Sequence, residues 1–434
     1  MASYDSENAY RNELAARGPF PTGFSAATTH ITFTPAERPR EAPYQMNLAL
    51  ITADEPTDAF AAVFTRNAFP GAPVILGRRH LAEPLLQGVL VNNKISNVCS
   101  PTGVEDAELL AREVDRNVRA KDSAGASTEG GVFLSISTGV IGWALPVEGM
   151  RRAVPGLATG LGTAGPPEVA EAIMTTDSFP KVRSAEVGDG RILGIAKGAG
   201  MVEPNLATML VFITTDVDVE RTALREDLAS VVDETFNTIS IDGDQSTSDT
   251  VLAWSSRRRG AVPRGRFREA LREVCAGLAE DIVRNGEGVG HVLRVRVHRA
   301  SGRDEAALLG KAVCNSPLVK TAVYGNDPNV GRIIAALGDA AGNAGITLQT
   351  GRVSVSLGAE TIFRGGVFHL DRDKEARLCE YLADTEMDPG VEGFPQHERV
   401  VEIAVDLGEG SEEATVLGTD LTHDYIRKNA DYRT

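Results

Sequence analysis

Along the 434 residues, runs of alternating or continuous apolar positions give way repeatedly to longer stretches with apolar residues at helical spacing. Runs rich in β-branched residues and bounded by turn formers predict strands at Thr29 to Thr34, Met46 to Thr52, Ala61 to Thr65, Gly88 to Asn93, Met209 to Thr215, His291 to Ala300, Arg352 to Leu357 and Val400 to Val405. Helical spacing predicts helices at Leu81 to Gly88, Gly103 to Ala120, Pro167 to Met174, Val219 to Ser240, Gly265 to Gly286, Asp304 to Cys314, Val330 to Ala341 and Leu370 to Asp384. Asn285 and Gly286 close the strongest of these, as expected at a helix C-terminus. Residues 1–18 read as a mobile or helical extension, a surface arm whose helical part is Glu7 to Arg17. Pro35 to Pro43 is an exposed loop by its three prolines, and Asp388 to His397 an inserted one. No sequence repeat at a fixed period interrupts this order.

Hydrophobic content of 42% is enough for a large core, and the length suggests two or three units. The formal net charge of −16 argues against nucleic acid and anionic membrane as partners, and favours small molecules or other proteins. Cys99, Cys275, Cys314 and Cys379 have neither close pairing nor metal-ligand spacing, so buried thiols in a reducing compartment are expected. The seven histidines form no His-x-x-x-His pattern, and no metal site is expected. The N-terminus lacks the apolar run of a signal peptide, and no stretch approaches the roughly 20 apolar residues that span a bilayer. A cytoplasmic location is the simplest expectation.

Chemistry concentrates in KGAGMVEPNLATML, Lys197 to Leu210, where a loop with Gly198, Gly200, Pro204 and Asn205 feeds an apolar strand. Thr208 stands at the junction behind the small Ala207, so its hydroxyl can reach the carbonyl carbon of residue 207 unobstructed. Attack there gives an ester that water opens, leaving residues 1–207 and 208–434, the second beginning with a threonine whose own amine serves as base. Spacing alone favours an ordinary glycine-rich turn before a core strand. Farther upstream, GVFLSISTGVIG, Gly131 to Gly142, is a strand running into a glycine turn. In an acyl-transfer enzyme such a turn can aim a backbone N–H and a hydroxyl at a developing oxyanion, although the pattern alone favours a β-turn with a solvent-facing threonine.

The cleavage-like stretch resembles that of the ornithine acetyltransferase family, also called bifunctional glutamate N-acetyltransferase and amino-acid N-acetyltransferase. The resemblance returns in AVFTRNAFPGAPV (Ala62 to Val74), STGVIG (Ser137 to Gly142), AIMTTDSFPK (Ala172 to Lys181), FNTISIDGDQSTSDT (Phe236 to Thr250), NGEG (Asn285 to Gly288), NSPLVKTAVYGNDPN (Asn315 to Asn329) and NADYRT (Asn429 to Thr434). It implies the layered α/β fold of the ornithine acetyltransferase and self-cleaving aminopeptidase superfamily. In that fold an alpha fragment, residues 19–207, and a beta fragment, residues 208–434, share one core.

The resemblance further implies that Thr208 is both the cleavage residue, with Ala207, and the catalytic nucleophile. Thr138 and Gly139 would form the oxyanion hole, and Thr175, Lys197, Thr208, Glu287, Asn429 and Thr434 would contact substrate. Thr175 is preferred over Thr176, Lys197 would hold a carboxylate or fix the reacting groups, and Glu287 would pair with the substrate's side-chain amine. The implied reaction is ping-pong transfer of acetyl from N2-acetylornithine to glutamate, without cofactor, by two copies of each fragment.

Departures from the family pattern bear on the substrates. Val289, Gly290 and His291 replace Ala-Thr-Lys after NGEG, Val330 replaces a tryptophan, and Thr419 replaces a cysteine. Lys94, Ile95 and Ser96 replace small residues in an asparagine-rich segment. A divergent member transferring an acyl group between other amino compounds therefore stays open. So do an amidohydrolase or aminopeptidase using water as acceptor, and an inactive binding relative.

Overall fold

The computed structural model describes residues 4–119, 132–203 and 209–431. The described residues form three sheets with helices packed on them, so the expected α/β class holds. The first sheet orders Phe24–Phe33, Tyr44–Thr57, Leu86–Asn92 and Phe133–Ser137. A second orders Phe60–Phe64, Thr250–Ala261, Leu210–Asp218, Gly190–Lys197 and Lys181–Val187. The third has seven strands centred on Val401–Asp406, Val292–Ala300 and Glu412–Thr419.

The second sheet joins the two halves of the chain. Leu210–Asp218 pairs antiparallel with Gly190–Lys197 on one side and parallel with Thr250–Ala261 on the other, with Leu210 opposite both Lys197 and Thr250. One of its faces is covered by helices Arg221–Glu234 and Arg264–Arg284, and the core there holds Ile192, Ala196 and Val202 together with Met209, Val211, Leu228 and Leu278. A further core does the same with Leu193, Ile195, Leu210 and Trp254. Residues from both sides of position 208 thus bury the same apolar surface, the term that dominates cohesion.

Several expectations need correction. The N-terminal segment is not a surface arm. Helix Glu7–Ala16 buries Tyr10 and Leu14, Tyr10 sets its ring edge-on to Phe179, and its hydroxyl donates to the Pro180 carbonyl at 2.7 Å. The expected helix at Leu81 to Gly88 is instead Ala72–His80, and after a short turn strand Leu86–Asn92 follows. Pro73 sits in the first helical turn, where its missing N–H has no partner to lose. The helix expected to reach Ser240 stops at Glu234. Ile239–Ser240 is a short strand paired with Leu417 and Gly418. Cys99 is exposed, against the expectation of buried thiols, whereas Cys275 and Cys314 are buried. The hairpin Lys181–Val187 and Gly190–Lys197, strand Thr250–Ala261 and helix Val147–Thr159 were not legible from period alone.

Candidate active site

A cleft of about 550 Å³ opens where the first two sheets meet the end of the long helix Arg264–Arg284 and the last helix, His423–Asp431. Six residues expected at the site line it: Thr138, Gly139, Thr175, Lys197, Glu287 and Asn429. Ala207, Thr208 and Thr434 lie outside the described residues. Both flanks of the interval holding Ala207 and Thr208 are fixed beside the cleft. The N–H groups of Met201 and Val202 donate to the Asp242 carboxylate at 2.6 and 2.8 Å, and the Met209 carbonyl accepts from Thr250 at 3.0 Å.

One wall is the turn after strand Phe133–Ser137. Thr138 is buried and its N–H donates to the Asn92 carbonyl at 3.0 Å. Gly139 has φ +128°, and a Cβ there would stand 2.2 Å from the Lys94 carbonyl carbon, so only glycine allows this approach. Val140 N–H then donates to the Lys94 carbonyl at 2.9 Å, and Ser96 donates to the Val140 carbonyl from its N–H at 2.9 Å and its hydroxyl at 2.8 Å. The substituted 94–96 segment therefore reaches the site, with Ser96 on the cleft surface and Lys94 contributing backbone.

The opposite wall carries the charges. Lys197 ends its strand and is followed by Gly198 and Gly200. Burial pushes its ammonium below the ordinary lysine value, opposed by the nearby carboxylates Asp177, Asp249 and Glu287. Glu287 follows the helix Arg264–Arg284, and its N–H donates to the Ala199 carbonyl at 2.8 Å. Its carboxylate packs over Gly200, where a Cβ would come within 2.5 Å of it. Asn429 Nδ2 donates to Glu287 Oε2 at 2.8 Å.

Thr175 follows the helix Pro166–Ala172, and its N–H donates to Asp177 Oδ2 at 3.0 Å. Thr176 also lines the cleft, so position alone does not separate the pair.

Residues not anticipated complete the surface: Ser246, Thr247 and Ser248, the apolar Val140, Ile141 and Met201, and Lys428. The hydroxyl-rich run DQSTSD was the available signal for the first three. The AVFTRNAFPGAPV stretch supports them from behind, with Gly71 N–H donating to the Thr247 carbonyl and Thr65 Oγ1 to the Ser246 carbonyl, both at 2.8 Å. Nothing in the sequence marked Lys428 apart from its place beside Asn429.

None of His291, Val330 and Thr419 lines the cleft. His291 is fully buried, its Nδ1 2.8 Å from Asp420 Oδ2. Val330 is in the core of the third sheet, and Thr419 faces the Ile241 carbonyl and the buried Lys320 ammonium.

The arrangement offers a cation for a carboxylate, a carboxylate for an ammonium, and a hydroxyl with a glycine turn for a carbonyl oxygen, as a charged amino acid bearing an acyl group requires. Among the described residues no cluster of metal-ligating side chains occurs, and no helix is long and apolar enough to cross a membrane.

A sequence model of the ArgJ family matches residues 36–434. The chain is 35% identical to the arginine biosynthesis bifunctional protein ArgJ of Rhodococcoides fascians, across 100% of this chain and 99% of that protein. It is 38% identical to the glutamate N-acetyltransferase of Methanothermobacter thermautotrophicus, across 86% of this chain and 90% of that one. A solved ornithine acetyltransferase from Mycobacterium tuberculosis, complexed with ornithine, is 32% identical over 43% of this chain and 94% of its own, with a TM-score of 0.34.

Proposed function

The chain belongs to the ArgJ family, and on that premise we propose that it is a self-processing acyltransferase that moves an acetyl group from N2-acetylornithine to glutamate. The observation that carries the reading is the gathering of Thr138, Gly139, Thr175, Lys197, Glu287 and Asn429, from distant parts of the sequence, around one cleft that Gly200 and Met201 also line.

In this reading the Thr208 hydroxyl attacks the carbonyl carbon of residue 207, the C–N bond between 207 and 208 breaks to free the threonine amine, and water hydrolyses the resulting ester to release the residue 207 carboxylate and the Thr208 hydroxyl. For transfer, that amine takes the Thr208 hydroxyl proton as the oxygen attacks the acetyl carbonyl. The Gly139 N–H and the Thr138 hydroxyl hold the developing oxyanion. Collapse breaks the amide bond, the ornithine nitrogen takes the proton, and the acetyl ester stays on Thr208. The neutral amine of glutamate then attacks that ester, its proton passes by way of the threonine amine to the Thr208 oxygen as the ester C–O bond breaks, and N-acetylglutamate leaves with the hydroxyl restored. Glu287 pairs with the side-chain ammonium of ornithine, Lys197 with a substrate carboxylate, and Thr175, Asn429 and Thr434 complete the substrate contacts. No cofactor enters these steps. The fragments 19–207 and 208–434 stay together through their common cores and pair into a dimer of heterodimers in the cytoplasm.

The test is ornithine release from acetylornithine with and without glutamate. Release that depends on glutamate, with N-acetylglutamate formed in equal amount, supports transfer. Release independent of glutamate assigns water as acceptor and makes the protein a hydrolase, and no release with either supports another acyl donor or a binding relative.

A further inference from the structure

Three wall segments of the cleft meet at one buried ion pair. The side chains of Asp177 and Lys181 are both fully buried, with Lys181 Nζ 2.5 Å from Asp177 Oδ1. Asp177 uses its two oxygens in different directions. Oδ2 accepts from the Thr175 N–H at 3.0 Å, and Oδ1 accepts from the Gly198 N–H at 2.7 Å, one residue past Lys197. Lys181 carries the connection onward, donating to Asn285 Oδ1 at 2.6 Å, while Asn285 Nδ2 donates to Ser178 Oγ at 2.5 Å. Asn285 caps the helix Arg264–Arg284 and stands two residues before Glu287.

We propose that Asp177 is a positioning residue of the cleft, which through its two carboxylate oxygens and Lys181 holds the segments carrying Thr175, Lys197 and Glu287 in one register. The inference rests on the reading of this cleft as the acyl-transfer site.

The physical case is the geometry of the bonds. Thr175, Gly198 and Asn285 belong to segments far apart in sequence, and none of them is fixed to the others by sheet pairing at these atoms. A carboxylate accepts at both ends, so it clamps two backbone N–H groups and still accepts a buried ammonium. An amide at the same place accepts at one end and donates at the other, which sets donor against donor. A buried pair of this kind is weak evidence for stability, because the cost of desolvating both charges offsets their attraction. Its contribution is to a unique arrangement, and here that arrangement is the spacing of substrate-binding groups. Burial pushes the Asp177 carboxyl up, but Lys181, Lys197 and the Gly198 N–H outweigh it and keep the group ionised at neutral pH, as a clamp of two donors requires.

The test separates position from stability. Ornithine binding is measured by calorimetry on the wild type, Asp177→Asn, and the double variant Asp177→Asn with Lys181→Met, each beside its melting temperature. The single variant leaves Lys181 as an uncompensated buried cation and should melt earlier. The double variant removes that charge and should regain much of the lost melting temperature. A positioning role predicts ornithine affinity at least about tenfold weaker in both variants, the loss of one hydrogen bond to a charged group. Affinity that stays at the wild-type value, or that recovers together with the melting temperature in the double variant, overturns the inference while leaving the substrate reading intact. Failure of the wild type itself to bind ornithine removes that reading, and the inference falls with it.

Discussion

Asn429 Nδ2 donates to Glu287 Oε2 across 2.8 Å, joining the last helix of the chain to the loop that ends the helix Arg264–Arg284. The last helix, His423–Asp431, has no buried side chain, so polar bonds hold it in place: Thr422 Oγ1 to the Gly288 carbonyl at 2.6 Å, Tyr324 with His423 at 3.2 Å, and Asn429 with Glu287. A bond to a charged group is worth about 1.5–3 kcal/mol, and at this exposed site the lower end applies. Asn429→Ala is therefore expected to raise the KM for acetylornithine about tenfold with little change in melting temperature. Steady-state kinetics beside a thermal melt checks this. An unchanged KM would remove Asn429 from the site.

The glycine turn makes a second prediction. Gly139→Ala places a Cβ 2.2 Å from the Lys94 carbonyl carbon at φ +128°, so the turn must shift and carry its N–H away from the cleft. Thr138→Ala removes only the hydroxyl. Loss of one oxyanion donor costs about 10² to 10³ in kcat, and each variant should fall in that range with KM little changed for Thr138→Ala. Single-turnover formation of the acyl-enzyme reports the step directly.

Lys197 predicts a pH dependence. Burial disfavours its charged form, so in the folded protein the ammonium discharges below the ordinary 10.5, despite Asp177, Asp249 and Glu287. The native state then binds fewer protons than the unfolded chain in the window just below 10.5, and stability contributed by this group rises with pH there. Affinity for a substrate carboxylate moves the opposite way and falls across the same window. In Lys197→Arg the charge persists to higher pH. Ornithine affinity followed from neutral pH toward 10.5 should weaken earlier in the wild type than in Lys197→Arg, which carries the same titration of the ligand. Coincident alkaline limbs would exclude Lys197 as the carboxylate partner.

Most of the candidate site was legible as residues before it was legible as geometry. Thr138, Gly139, Thr175, Lys197, Glu287 and Asn429 came from motif resemblance, and they line one cleft. The apolar period located the long helices well, because a helix such as Arg264–Arg284 buries a continuous stripe that includes Leu271, Val274, Leu278 and Ile282. Period failed where tertiary packing decides. Tyr10 and Leu14 are the two large apolar residues of a charged segment, and both are buried against Phe179 and its neighbours. The helix Ala72–His80 was placed too late in the chain, at Leu81 to Gly88. His291 seemed to replace a cation beside Glu287. Instead its ring turns into the interior against Asp420, a direction that residue spacing does not encode. The Asp177 and Lys181 pair lay inside a quoted motif, but its partners Gly198 and Asn285 are distant in sequence and only folding brings them together.

The central claim is that Thr208 becomes the first residue of a second fragment and then carries the acyl group. Intact mass of the purified protein beside Thr208→Ala tests it most directly. The account predicts that the wild type divides between Ala207 and Thr208 into two fragments that copurify, held by the cores they share, while the variant stays one chain. Two undivided chains, or a variant that divides like the wild type, would contradict it.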